Sequence, residues 1–208
     1  MSEQAPPQTE KDKIVSWEKV EEERTTFTDR PLSEYQRLLG LSLDNLVGKT
    51  VLDIGSGEEQ RFANEAARNG INVISVNPAF KMDKWLRRAG RKRYCVAARG
   101  QELPFKDESF DAVTSVFAVP HYITEESSVS AVFNEVARVL KPGGKAYLYS
   151  EHSSLRSKIE KAERELKDRG LNVQIDWNPF KVIQSIYRSE PGERIIIEKP
   201  KKNPADQG

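Results

Sequence analysis

Cysteine is almost missing from this chain: Cys95 is the only one among 208 residues. No internal disulfide can form, and with only two histidines as well the chain has too few soft ligands to argue for a zinc site, so no metal is expected. A lone cysteine between Tyr94 and Val96 reads as a packed residue. Long apolar runs are missing too. No stretch of about 18 apolar residues occurs, which predicts no membrane-spanning helix. Met1 to Glu10 is polar and proline-bearing, without an apolar signal core. Nor does one sign of charge dominate. Thirty-three Lys and Arg face 32 Asp and Glu, a formal net charge of +1, and that balance demands neither nucleic acid nor membrane as a partner. A cytoplasmic protein is the expectation. The length suits one domain with one sizeable core.

What is present is organised around Thr50-Val51-Leu52-Asp53-Ile54-Gly55-Ser56-Gly57-Glu58-Glu59. An apolar run ends in an aspartate, then in glycine, serine and glycine. A helical pattern follows from about Gln60 to Asn69, with Phe62, Ala63, Ala66 and Ala67 on one face. Strand, tight turn and helix are the elements of a phosphate- or nucleotide-binding corner, where glycine permits positive φ and a close approach of ligand to main chain. The same Gly-x-Gly also occurs in turns that serve packing alone. Nicotinamide enzymes use Gly-x-Gly-x-x-Gly, and here the third glycine position holds Gln60.

Residues 1–10 read as a disordered tail, 11–47 as N-terminal helices or a lid, 48–200 as the main domain and 201–208 as a second tail. Pro31 opens a helix holding Tyr35, Leu38 and Leu39. Strands are predicted at 50–54, 71–76, 94–98, 110–116, 146–149 and 194–198, with strand-like runs at 173–175 and 182–188. Helices are predicted at 79–93, at 127–140, where Val129, Val132, Phe133, Val136 and Val139 recur at helical spacing, and from a cap at Ser153 or Ser154 to Arg169. Lys141-Pro142-Gly143-Gly144 reads as a terminator between helix and strand. This alternation implies a Rossmann-like, mostly parallel seven-stranded sheet with helices on both faces, closed by an antiparallel C-terminal hairpin. Ligands of such sheets sit beyond the carboxyl ends of the strands. Asp53–Gly57, Asn77, Arg99–Glu102 and Phe117–Tyr122 all follow strand ends and share that edge.

Three blocks together resemble the class I S-adenosylmethionine-dependent methyltransferases, of the type 11 kind. The glycine turn is similar to their first motif, hydrophobic-Asp-x-Gly-x-Gly-x-Gly, with Glu59 in place of the third glycine. Gly100-Gln101-Glu102-Leu103-Pro104-Phe105-Lys106-Asp107-Glu108-Ser109-Phe110-Asp111-Ala112-Val113 is similar to their Leu-Pro-Phe block. Glu135-Val136-Ala137-Arg138-Val139-Leu140-Lys141-Pro142-Gly143-Gly144 is similar to their Glu-x-x-Arg-Val-Leu-Lys-Pro-Gly-Gly block. The resemblance covers residues 48–150 well and does not reach the first 30 or so.

The resemblance implies S-adenosylmethionine as cofactor and a set of residues to hold it. Asp53 would meet the ammonium group, directly or through water. Gly55, Ser56 and Gly57 would face the methionine and ribose portion. Asn77, followed by Pro78, stands where the family has an acid for the ribose hydroxyls; its amide oxygen still accepts, without the charge-assisted strength. Arg99 stands where the family often has an aspartate for the adenine amine. Arginine only donates, so Gln101 or a main-chain carbonyl would take over, beside Glu102 and Leu103. Phe117 would complete the cofactor site, and His121 and Tyr122 are the candidates for positioning or deprotonating the acceptor.

Val119-Pro120-His121-Tyr122 lacks the polar first residue of the Asn/Asp-Pro-Pro-Tyr motif used by amino-methylating enzymes. Between residues 81 and 99 lie Lys81, Lys84, Arg87, Arg88, Arg91, Lys92, Arg93 and Arg99 against Asp83 alone. That segment is a solvated helix face or a surface for a phosphate-rich partner. The reading is a methyltransferase acting on an unidentified acceptor, a small molecule ahead of RNA or protein. The alternative is an inactive relative kept as a binding or scaffold module, with a nicotinamide oxidoreductase third.

Overall fold

The structure is a computed structural model and describes residues 29–57, 59–78, 95–121, 123, 126–150, 155–177 and 192–202. Residues 11–28 of the expected N-terminal helices or lid, the expected helix at 79–93, most of the basic segment 81–99, the strand-like run 182–188, the Ser153 or Ser154 cap and Tyr122 lie outside these residues.

Helix α1 spans Leu32–Leu39, with Pro31 as its N-cap and Gly40 in the left-handed conformation as its C-cap. Leu32, Tyr35, Leu38 and Leu39 fall on one face and are buried, the spacing of an amphipathic helix on a core. A single 3-10 turn at Leu43–Asn45 leads into strand β1, Thr50–Ile54. Helix α2 follows at Arg61–Ala67, β2 at Asn72–Val76, β3 at Cys95–Val96 and β4 at Phe110–Val116. Then come α3 at Glu126–Val139, β5 at Leu140–Ser150, α4 at Arg156–Asp168, β6 at Asn172–Trp177 and β7 at Glu193–Glu198.

The strands form one seven-stranded sheet in the order β3-β2-β1-β4-β5-β7-β6. Strands β1 to β5 pair in parallel, while β7 lies antiparallel to both β5 and β6. This is the expected Rossmann-like sheet. Two cores flank it. Leu52, Val113, Leu148 and Ile195 point to α3 and α4, whereas Val51, Val73, Ala112 and Tyr149 point to α1 and α2. The period of two decides this sorting: Val51 and Asp53 face one way, Leu52 and Ile54 the other.

Strand β5 begins six residues earlier than the pattern suggests, at Leu140 rather than Ala146. The register jumps from Phe110↔Leu140 to Ala112↔Lys145, so Lys141–Gly144 bulges out. Gly143 takes a φ of +80°, and its N–H donates to the Lys199 carbonyl at 2.7 Å. The Lys-Pro-Gly-Gly block is thus a bulge stitched to the chain beyond β7. Helix α4 starts at Arg156, with Leu155 as N-cap and no side-chain cap, two residues later than a cap at Ser153 would place it.

Candidate functional site at the carboxyl edge

Register brings the sequence-derived residues together. Asp53 pairs with Ser75 of β2 and Thr114 of β4, so the ends of β1, β2 and β4 share one edge with Gly55, Asn77 and Phe117. Asp53 is fully buried. Its Oδ1 accepts a hydrogen bond from the Thr114 hydroxyl at 2.9 Å, and both oxygens lie 3.1 Å from the Tyr35 hydroxyl, which donates. Burial pushes the Asp53 carboxyl up to about 7, against the pull of these two donors. Tyr35 is held by a parallel stack on Phe62 with centroids 4.0 Å apart. Its own ionisation is raised by burial and by the neighbouring carboxylate.

The turn after β1 is built on backbone that glycine permits. Gly55 and Gly57 have φ of +79° and +72°. The Gly55 N–H turns inward to the Val76 carbonyl at 2.7 Å. A Cβ at Gly55 would stand 2.1 Å from the Ala118 Cβ, so only glycine lets the turn meet the loop after β4. At the third glycine position, the Glu59 N–H donates to the Asp29 carboxylate, 2.9 Å from each oxygen. The amides of Gln60 and Arg61 also act on Asp29. The chain's own acid therefore serves the exposed amides that open α2.

Asn77 stands half-buried at the end of β2, its N–H on the Val96 carbonyl at 3.2 Å, with Pro78 exposed beyond it. Gln101 is half-buried, Glu102 exposed and Leu103 buried. The loop that carries them is fixed from below. The Leu103 N–H donates to Glu135 at 2.7 Å. The Arg138 guanidinium donates to the Leu103 and Phe105 carbonyls, to Asp107 and, through two nitrogens, to Glu135, all within 2.9 Å. This arginine holds the Glu135 carboxyl below its ordinary range. Two blocks 30-odd residues apart in sequence are one ion-paired unit.

After β4, Phe117 takes a φ of +55°, and its N–H reaches the Tyr149 carbonyl at 3.0 Å. Its ring meets Tyr149 and His121 edge-on, with centroids at 5.1 and 5.8 Å, and the Arg30 guanidinium lies 4.1 Å over its face. The Val119–Pro120 peptide is cis, and the Ser115 hydroxyl ties that loop to β1, donating to the Ile54 carbonyl at 2.9 Å and accepting from the Val119 N–H at 3.0 Å. His121 is half-buried beside Phe117.

Sequence reading missed Asp29, Arg30, Tyr35 and Thr114. Only Thr114 carried a signal, as a polar residue at an inward position of an apolar strand. A cleft of about 250 Å³ at the opposite edge is lined by Asp107, Arg138, Arg169 and Lys199. Its cations serve the fold: Arg169 bonds Asn134, and Lys199 bonds the Ala137 and Leu140 carbonyls at the end of α3.

Residues 52–148 match a family described as methyltransferase domain. The chain is 29% identical over 125 residues to a mouse (Mus musculus) protein named "Probable tRNA methyltransferase 9B", covering 59% of this chain and 26% of that one. It is 35% identical over 105 residues to a demethylmenaquinone methyltransferase of Corynebacterium kroppenstedtii, covering 50% and 42%. The chain thus spans between a quarter and a half of the length of these curated relatives. A solved S-adenosylmethionine-dependent methyltransferase from Mesorhizobium loti superposes with a TM-score of 0.58 at 18% identity, over 74% of this chain and 93% of that one. The matched block, the order of the three motifs and the strand order agree, and the fold of this chain is that of the class I S-adenosylmethionine-dependent methyltransferases.

Proposed function

We propose that this chain binds S-adenosylmethionine at the carboxyl edge of β1, β2 and β4 and transfers its methyl group to a small-molecule acceptor. The observation that carries the reading is the convergence of the left-handed glycine turn, Asn77 and Phe117 on one edge of a sheet in the methyltransferase order. The residues present fit the group. Gly55, Ser56 and Gly57 offer a main-chain surface without bulky side chains, Asn77 and Gln101 offer amide acceptors for hydroxyl and amine donors, and Leu103 and Phe117 offer apolar contact. Asp53 acts on the cofactor through the turn it anchors, since Tyr35 and Thr114 already use its oxygens.

Bound there, S-adenosylmethionine supplies an electrophilic methyl group. The protein's part is alignment and exclusion of water, which suffices for a good nucleophile. The described segment 29–47 covers this edge in this reading. Asp29 on the Glu59 amide and Arg30 over Phe117 support it, because both tie the segment before α1 to the site's two loops. The Phe117 ring and His121 favour a flat or apolar acceptor, with His121 and Tyr122 positioning it. The two relatives carry names that specify a tRNA and a quinone precursor, and the aromatic edge favours the second kind.

A second reading, a scaffold that has lost catalysis, draws on the same Asp29 contact, because that carboxylate fills amides of the first motif. Calorimetric titration with S-adenosylmethionine and S-adenosylhomocysteine separates the two. The enzyme reading expects micromolar affinity, weakened about tenfold in Asn77→Ala through loss of one hydrogen bond of about 1.4 kcal/mol. No heat at millimolar nucleoside would leave the scaffold reading standing.

A further inference from the structure

One buried acid lies on the same edge and takes no part in the site described above. Ser150 ends β5 and pairs with Glu193, the first residue of β7, which pairs in turn with Trp177 at the end of β6. Because β7 runs antiparallel, its start lies at the carboxyl edge. Phe117 bonds the Tyr149 carbonyl next door, so Phe117, Ser150 and Glu193 form a row across β4, β5 and β7. With strands about 4.8 Å apart, Glu193 stands about 10 Å from the end of β4.

Glu193 is 4% exposed and Ser150 1%. Both sit on the α3 and α4 face, in phase with Ile195 and Ile197 on β7 and with Leu148 and Ala146 on β5. Directly paired residues on one face of an antiparallel ladder bring their Cβ atoms within about 5.5 Å. The Ser150 hydroxyl has no hydrogen-bond partner among the described residues, although buried polar atoms are nearly always satisfied. Arg156 and Glu160 of α4 are the described charged groups that act on Glu193; the first favours its ionised form and the second opposes it. At the loop, a Cβ on Gly192 would lie 2.3 Å from the Tyr149 ring and hydroxyl, so the chain enters β7 pressed against the aromatic group that also packs on Phe117.

We infer that Ser150 and Glu193 form the acceptor's half of the site, and that the Glu193 carboxylate takes the proton given up by an acceptor carrying hydrogen on the atom that is methylated. The inference rests on the methyl-transfer reading above. In the step, a lone pair of the acceptor forms the new bond to the methyl carbon, the carbon–sulfur bond breaks with its electron pair remaining on sulfur, and the acceptor's proton passes to Glu193. The Ser150 hydroxyl pairs with the acceptor and thereby gains the partner it lacks. Burial raises the Glu193 carboxyl above its ordinary range, so a cation arriving nearby draws it down and readies it as a base. Loss of the positive charge on transfer raises it again, and the proton is retained.

The test reads Glu193 itself. The side-chain carboxyl carbons of the full chain are followed by NMR through a pH titration, with Glu193→Gln identifying the resonance. One titration is run with the protein saturated in S-adenosylmethionine and another with it saturated in S-adenosylhomocysteine, which lacks the methyl and the charge. Direct proton transfer to Glu193 from the methylated atom needs the charged sulfur within about 7 Å of the carboxylate, and a unit charge there at an effective dielectric near 20 is expected to place the Glu193 pKa about one to two units lower in the first complex. Equal values in the two complexes would overturn the inference while leaving the cofactor reading intact. Failure of both nucleosides to bind would overturn both.

Discussion

The Tyr35 hydroxyl bridges the two oxygens of Asp53 at 3.1 Å each, from a helix 18 residues earlier in the chain. The pair joins α1 to the strand that carries the glycine turn. Because Asp53 is also bonded by Thr114, three elements converge on one carboxylate without a cation beside it among its determinants.

That arrangement makes stability depend on pH in a defined direction. Asp53 titrates near 7 in the folded protein and near 4 when unfolded. Between those values the native state holds a proton that the unfolded state releases. The contribution of this group to stability is therefore full below about pH 4 and falls as pH rises through about 7, by roughly 4 kcal/mol over the window. Asp53→Asn keeps an acceptor for Thr114 and removes the titration. In urea unfolding, the variant should gain on the wild type steadily from pH 4.5 to pH 8. Parallel pH profiles for the two proteins would mean that Asp53 ionises at its ordinary value in spite of burial.

Much of the fold was legible in the sequence because short apolar runs of the kind buried parallel strands carry alternate with helical patterns such as Val129, Val132, Phe133, Val136 and Val139, and because three motif blocks appear in order. The expected sharing of an edge by Asp53, Asn77 and Phe117 followed from strand ends alone. Contacts made at a distance were not legible. Nothing local links Tyr35 to Asp53 or Asp29 to the Glu59 amide. The early start of β5 escaped because Pro142 and two glycines read as a break, while in space Gly143 forms a bulge anchored on Lys199. Glu193 did leave a signal, since it shares parity with Ile195 and Ile197 and so faces inward. An acid at a strand's first residue looks like a solvated end unless that parity is followed.

Arg138 is expected to be the least replaceable side chain of the Leu-Pro-Phe and Leu-Lys-Pro-Gly-Gly blocks. Its nitrogens donate to two carbonyls and two carboxylates, an array that needs a planar fork. Arg138→Lys keeps the charge yet can reach only part of the set. Both Arg138→Lys and Arg138→Ala should destabilise the protein, by roughly 1–2 and 3–4 kcal/mol, because the Leu103 and Phe105 carbonyls and Glu135 lose their partner. Equal stability of wild type and Arg138→Lys in urea unfolding would show that charge alone matters here.

Gly55 and Ala118 offer the sharpest test of how the two site loops are held together. An alanine at 55 meets two separate penalties. Its φ of +79° is unfavourable for an L residue, by about 1–2 kcal/mol, and its Cβ would stand 2.1 Å from that of Ala118, far inside contact distance. The second penalty vanishes if Ala118 loses its Cβ; the first does not. Gly55→Ala should therefore cost roughly 3–4 kcal/mol, and the Gly55→Ala, Ala118→Gly double variant distinctly less than the sum of the single effects, with a coupling of roughly 1–2 kcal/mol. Calorimetric affinity for S-adenosylhomocysteine should follow the same pattern, lost in the single variant and largely regained in the double. That outcome would tie cofactor affinity to the seating of the β1 turn against the β4 loop. Strictly additive effects would place the damage in backbone strain at Gly55 alone, and the close approach of the two loops would then have no part in binding.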